Sequence, residues 1–150
     1  MELNVSNEII IARPRNIVAS FAAEPENAPK WYKNIRSVEP KTSGALQVGS
    51  RFAFVAQFLG RRLSYTYEIV EFVRGEKLTM RTHEGPFPME TTYSWRSVEN
   101  NSTAMSLRNR GTPRGFSSLV LPFMAWAVRR ANRKDLLRLK SVLEGRPAAD

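Results

Sequence analysis

The chain has no cysteine and a single histidine. The first absence removes disulfides, thiolate nucleophiles, Cys-ligated zinc and iron–sulfur clusters together. The second means that serine–histidine–aspartate catalysis would have to run through His83, and that a metal would have to be held by carboxylates without a second imidazole. No GxxxxGK[ST] or GxGxxG phosphate loop is present, so nucleotide-dependent catalysis has no support. The start, Met1-Glu2-Leu3-Asn4-Val5-Ser6, lacks the basic end and apolar run of a signal peptide, and the cytoplasm is the expected location. The longest apolar stretch, Leu119 to Val128, is about half of the roughly 20 residues that a spanning helix needs, and Pro122 interrupts it. No transmembrane segment, cofactor or metal is expected.

What is present is 150 residues, 42% apolar and 25% charged, ordinary usage for one folded domain spanning 1–150. Lys and Arg number 23 against 14 Asp and Glu, a net charge of +9 that brings anionic partners into consideration.

Leu3, Val5, Ile9, Ile10 and Ile11 give residues 2–12 the β-branched content of an opening strand. Pro14 suits the first position of a short helix with Ile17, Val18 and Phe21 on its buried stripe. Pro25 and Pro29 then permit one more turn of helix before Trp31 and Tyr32. From Ile35 the pattern turns to strand, and 37–110 is a series of alternating segments at hairpin spacing. The last segment, 115–144, reads as a long helix whose broad apolar stripe takes in Leu119, Val120, Phe123, Met124, Ala127, Val128, Ala131, Leu136, Leu139, Val142 and Leu143. Pro122 should kink it or mark its true start, and Gly145 should end it.

The turns predict register. A two-residue turn at Gly60-Arg61 sets Phe58 against Leu63, Ala56 against Tyr65 and Phe54 against Tyr67. One at Arg74-Gly75 sets Ile69 beside Met80 and Tyr67 beside Thr82. A four-residue loop at 84–87 sets Met80 beside Thr91 and Leu78 beside Tyr93, and a three-residue loop at 100–102 sets Trp95 beside Leu107 and Tyr93 beside Asn109. All of these share one face. That face is large and aromatic, as a packed core would be, yet Tyr65, Tyr67, Thr82, Thr91, Tyr93 and Asn109 add polar groups for which a solid core has little use.

This order of strand, short helices, antiparallel meander and long C-terminal helix resembles the START-like superfamily, also called SRPBCC or Bet v 1-like, and within it the polyketide cyclase/dehydrase-type branch. The likeness is carried by Pro14 and the helix after it, Trp31, Val48-Gly49-Ser50-Arg51-Phe52, Tyr67-Glu68-Ile69-Val70-Glu71-Phe72 before the turn Arg74-Gly75-Glu76, and Asp135-Leu136-Leu137-Arg138-Leu139-Lys140. It implies an α+β helix-grip fold, a curved antiparallel sheet wrapped around a long C-terminal helix, with two short helices after the first strand. It also implies a deep apolar cavity between sheet and helix, used by different members for lipids, hormones, polyketides, or cyclisation and hydration chemistry. Fold analogy does not choose among these.

The leading expectation is therefore binding of a hydrophobic small molecule of lipid, polyketide or aromatic type, with Phe54, Tyr65, Tyr67, Met80, Thr91, Tyr93, Trp95, Asn109 and Met124 as ligand-binding residues. An alternative is a cyclase, dehydratase or hydratase in which Tyr65, Tyr67, Tyr93 or Asn109 polarises a substrate carbonyl; no catalytic motif is recognisable. His83 with Glu84 or Glu90 is the one imidazole–carboxylate arrangement, but parity puts His83 on the outer face. Asp135, one turn from Asn132 on the final helix, is expected to pair with Arg138 or another helix cation rather than act as a base. The Pro-rich loop 84–89 reads as a plain turn or a cavity rim, and Arg108, Arg110 and Arg114 either meet an anionic head group at the mouth or solvate a strand end. Arg129, Arg130, Arg133, Lys134, Arg138 and Lys140 allow a third reading, a basic surface for nucleic acid or an anionic membrane. No nucleic-acid motif accompanies them, so no specific nucleic-acid partner is expected. Monomer and homodimer are both left open.

Overall fold

The computed structural model describes residues 2–58, 60–114 and 118–145. Strand β1 (Leu3–Ile11) leads into helix α1 (Arg15–Ala23), a 3₁₀ turn (Pro25–Asn27) and the single-turn helix α2 (Ala28–Trp31). Strands β2 (Ile35–Pro40), β3 (Arg51–Phe58), β4 (Arg61–Val73), β5 (Lys77–Glu84), β6 (Met89–Val98) and β7 (Ser102–Gly111) follow, then a 3₁₀ turn (Ser118–Val120) and helix α3 (Leu121–Glu144). The strands form one antiparallel sheet in the order β1-β7-β6-β5-β4-β3-β2. This is the helix-grip arrangement expected from the sequence.

The shared face is there, though two hairpins reach it in another register. Phe58 pairs with Arg61, so Ala56 meets Leu63, Phe54 meets Tyr65 and Phe52 meets Tyr67. Gly60, at φ 76°, is thus the second residue of its turn rather than the first. Likewise Val98 pairs with Ser102, so Trp95 meets Met105 and Tyr93 meets Leu107, while Asn109 faces Thr91. Asn100 and Asn101, both at positive φ, form the bend. Each slip is two residues, an even number, which keeps every side chain on its face. The β4–β5 hairpin reaches the expected Ile69–Met80 pair differently: Val73 pairs with Lys77 across a three-residue turn, and a bulge at Val70 absorbs the odd residue.

Hydrophobic burial fixes the helices. Val18, Ala19, Ala22 and Ala23 form the buried side of α1, and Ile17 is exposed, contrary to expectation. The small alanines let α1 lie close against β6, which rotates the contact stripe by one residue. Trp31 is fully buried. In α3, Pro122 sits in the first turn, where a missing N–H costs nothing, and Gly145 ends the helix at φ 71°. The expected helix residues 115–117 lie outside the described ones.

Helix α3 lies along the edge strand β1. Asn7 Nδ2 reaches the Arg129 carbonyl at 3.4 Å, and Lys140 Nζ donates to the Ile10 carbonyl and to Glu144, each at 2.7 Å. The Ala12 N–H donates to Glu144 Oε2 at 2.7 Å, and Arg13 Nη1 to the Leu143 carbonyl at 2.8 Å. Beside an edge only a narrow stripe is covered, so Met124, Leu136, Leu139 and Leu143 are buried while Leu119, Phe123, Trp126 and Val142 are exposed, three of them members of the expected stripe. Among the described residues no helix is long and apolar enough to cross a membrane.

Candidate functional site

Alternation along β3 to β7 directs one set of side chains to the concave face, and the α3 residues Val128, Ala131, Asn132 and Asp135, spaced at three, four and seven, face them. Between the two lies a cavity of about 170 Å³. Its far wall is aromatic: the rings of Phe54 and Tyr65 stack at 5.4 Å, and Tyr67 meets both edge-on at 5.6 and 5.0 Å. Met80 and Leu63 complete that side, and Tyr32, Asn34 and Ile35 close the junction of α2 and β2.

The polar groups of the wall are ordered by their hydrogen bonds. Thr91 Oγ1 donates to Asn109 Oδ1 at 2.6 Å and lies 2.9 Å from the Tyr67 hydroxyl. Threonine has one hydroxyl hydrogen, so with that hydrogen on Asn109 it accepts the one from Tyr67. The Tyr32 and Tyr93 hydroxyls are 2.8 Å apart and share one hydrogen, which leaves the second for another acceptor. Burial raises the pKa of all four tyrosines, that of Tyr67 to about 12 against the opposing Thr91 bond, so each is a neutral hydroxyl at physiological pH.

The α3 wall holds two polar side chains on an otherwise apolar stripe. Asp135 is 3% exposed, and its Oδ1 accepts from the Lys33 N–H at 3.1 Å and from Arg138 Nη1 at 3.5 Å. Burial pushes its carboxyl up to about 6, and the Lys33 hydrogen bond and the Arg138 charge only partly offset it. Asn132 is 5% exposed, and its Nδ2 has no hydrogen-bond partner among the described residues. A buried amide N–H left unpaired costs about 1–3 kcal/mol.

Of the residues picked from the sequence, Phe54, Tyr65, Tyr67, Met80, Thr91, Tyr93 and Asn109 line this cavity. Trp95 and Met124 do not. Trp95 stands behind Tyr93, ring centroids 6.1 Å apart, and packs into the core beyond it, while Met124, 1% exposed, is buried outside the cavity. Asp135 does contact Arg138, as expected, but sequence reasoning misses its place in the cavity wall, and those of Tyr32 and Asn132. The available signal is the spacing of Asn132 and Asp135 on the same stripe as Val128 and Ala131.

His83 is on the outer face, its Nδ1 3.8 Å from Glu68 rather than beside Glu84 or Glu90. Arg108 and Arg110 also point outward, donating to Asn4 and Glu2 of the β1 end of the chain, so they do not border the mouth. The loop at 84–87 does approach the cavity: a Cβ on Gly85 would stand 3.0 Å from Tyr65 Cβ. A larger depression, about 690 Å³, lies between α1 and the β4–β5 and β6–β7 turns, with exposed Ala45, Arg74 and Asn101 on its rim. Among the described residues no cluster of acidic and imidazole groups could hold a metal.

No curated protein matches the chain by sequence. Solved structures do match its fold. A protein of Thermus thermophilus superposes with a TM-score of 0.81 at 20% identity, covering 95% of this chain and 97% of that one. The Zhui aromatase/cyclase of Streptomyces sp. R1128 gives 0.79 at 16% identity, covering 96% and 94%. A START superfamily protein of Mycobacterium smegmatis gives 0.78 at 14% identity, covering 95% and 97%. The profile of the family described as polyketide cyclase/dehydrase and lipid transport matches residues 2–144, nearly the whole chain, and the chain belongs to that family.

Proposed function

We propose that the protein binds a hydrophobic small molecule in the cavity between the sheet and α3, with Phe54, Tyr65, Tyr67, Met80, Thr91, Tyr93 and Asn109 as contacts. The observation that carries this reading is the cavity itself, about 170 Å³ with stacked aromatic rings on one side and helix on the other. An engineered apolar cavity of about 150 Å³ takes up benzene, which sets the scale: a one-ring or compact two-ring ligand of aromatic or polyketide type fits, whereas a long acyl chain would have to widen the space. Burying about 200 Å² of apolar ligand surface at ~25 cal/mol per Å² yields ~5 kcal/mol before association costs, so binding needs no unusual contact.

The test is a titration with p-xylene followed by NMR. The Met80 methyl and the Tyr67 and Tyr93 ring signals should shift saturably, and those of His83 and Arg108 should not. Shifts confined to the outer face, or none, would overturn the reading. Native mass spectrometry of the purified protein would show whether a ligand comes with it.

Asp135 favours a second reading. A buried carboxyl that titrates near neutrality in a cavity wall is suited to proton transfer. In an enzyme of the cyclase, dehydratase or hydratase kind it would exchange a proton with the substrate while the free Tyr32/Tyr93 hydrogen polarises a carbonyl. The basic-surface reading is weaker than the sequence makes it, since Arg138 is bound to the Trp31 carbonyl at 3.0 Å and Lys140 to the Ile10 carbonyl at 2.7 Å.

A further inference from the structure

Asn132 and Asp135 are the two polar side chains that α3 presents to the cavity, one turn apart and both buried. Neither is satisfied by the protein. Both donors to Asp135, the Lys33 N–H and Arg138 Nη1, converge on Oδ1, and among the described residues Oδ2 accepts no hydrogen bond. The Asn132 amide makes no hydrogen bond there either, and its Nδ2 is fully enclosed. Asn132 lines the cavity, and a half-turn about its last bond exchanges the amide oxygen and nitrogen at no change of shape, so the amide can turn its NH₂ to a ligand there. The wall then offers an acceptor and a donor side by side.

We propose that this pair is a socket for a hydroxyl group on an aromatic ring, so that the ligand class is a phenol: its O–H donates to Asp135 Oδ2, and its oxygen accepts from Asn132 Nδ2. The inference rests on the cavity-binding reading above and adds the polar end of the ligand to it. A hydroxyl is the small group that gives and takes a hydrogen bond at one atom. A carbonyl would satisfy Asn132 but set its lone pairs against the carboxylate. A carboxylate ligand would meet like charge, and an ammonium would leave the asparagine donor unmatched. The ring that carries the hydroxyl lies against Phe54, Tyr65 and Tyr67, whose edge-on and stacked faces suit a further aromatic.

The test compares p-cresol with p-xylene, which differ by a hydroxyl in place of a methyl, using calorimetric titration of the whole protein at pH 8. A purely apolar cavity prefers p-xylene, because it has no polar group to strip of water. With the socket, p-cresol binds at least about tenfold tighter, since a site built around a hydroxyl rejects the analogue that leaves its polar groups unpaired. In Asn132→Leu and in Asp135→Asn that preference falls below about threefold while p-xylene affinity is kept or improved. Equal or tighter binding of p-xylene by the unaltered protein overturns the socket and leaves the apolar cavity standing. Failure of both rings to bind overturns the two readings together. Benzylamine binding more tightly than p-cresol would make the site a cation site and also refute the proposal. Because the deciding comparison is made on the unaltered protein, it holds even if one variant does not fold.

Discussion

Replacing Asp135 by asparagine should stabilise the protein at neutral pH, against the usual outcome of removing a buried ion-pair partner. The native carboxyl titrates at about 6 and the unfolded one near its ordinary 3.8, because burial disfavours the charged form. The native state therefore holds its proton more tightly than the unfolded chain, and the stability this confers is present below about pH 4 and lost as pH rises to about 6. A gap of about 2 pKa units corresponds to ~3 kcal/mol between the two ends of that window. Asparagine keeps an oxygen for the Lys33 N–H and carries no charge, and Arg138 retains the Trp31 carbonyl at 3.0 Å. Asp135→Asn should then exceed the parent by ~2–3 kcal/mol at pH 8, with the difference shrinking below ~1 kcal/mol at pH 4. In a chain of this length each kcal/mol moves the melting temperature by roughly 2–4 °C. Urea unfolding from pH 4 to 8 measures the difference directly, with the slope m as a check that both chains unfold to the same extent. Parallel pH profiles for the two proteins, or a variant less stable at pH 8, would refute the assignment of a destabilised buried carboxylate.

Three further outcomes are expected. His83→Ala should leave p-xylene binding within about twofold by NMR titration, because the imidazole sits on the outer face near Glu68. Leu139→Ala, at a fully buried position where α3 meets the core, should cost ~2–5 kcal/mol in urea unfolding without changing m. Charge reversal at Arg129, Arg130 and Arg133 should leave p-xylene affinity unchanged, and raising salt from about 50 to 200 mM should do the same, whereas binding through phosphate contacts would fall by orders of magnitude over that range.

Most of the fold is legible in the sequence because each segment states its period. Tyr65, Tyr67 and Ile69 alternate with polar neighbours, as do Thr91, Tyr93 and Trp95, so the concave face can be assembled before its register is known. Register itself is less legible, because it depends on which turn residue adopts positive φ. Gly60 is the second residue of its turn, and Asn100 and Asn101 share that role in theirs; neither choice follows from composition. Ile17 and Phe123 mislead for a different reason. Periodicity marks an apolar stripe, but how much of it is covered depends on the neighbour, and α3 is covered along β1 and over the cavity but not on its outer side. At the site, aromatic and hydroxyl residues on strands are readable by parity. Asn132 and Asp135 are visible as polar residues near an apolar stripe, but only the packing of α3 against α2 turns that position into a cavity wall.

The attachment of α3 is uneven along its length. Among the described residues, its side-chain and cross-element hydrogen bonds to the rest of the protein cluster from Asp135 to Glu144, with one long contact at Arg129 before them. The helix is in effect a cantilever, clamped over its last three turns and resting on packing alone over most of its first three. Deflecting the free part toward solvent separates Val128 and Ala131 from the aromatic wall without breaking a single rung of the sheet. Parting the first half of α3 from the sheet would thus cost only the side-chain contacts of its own residues, a local quantity smaller than the stability of the whole domain.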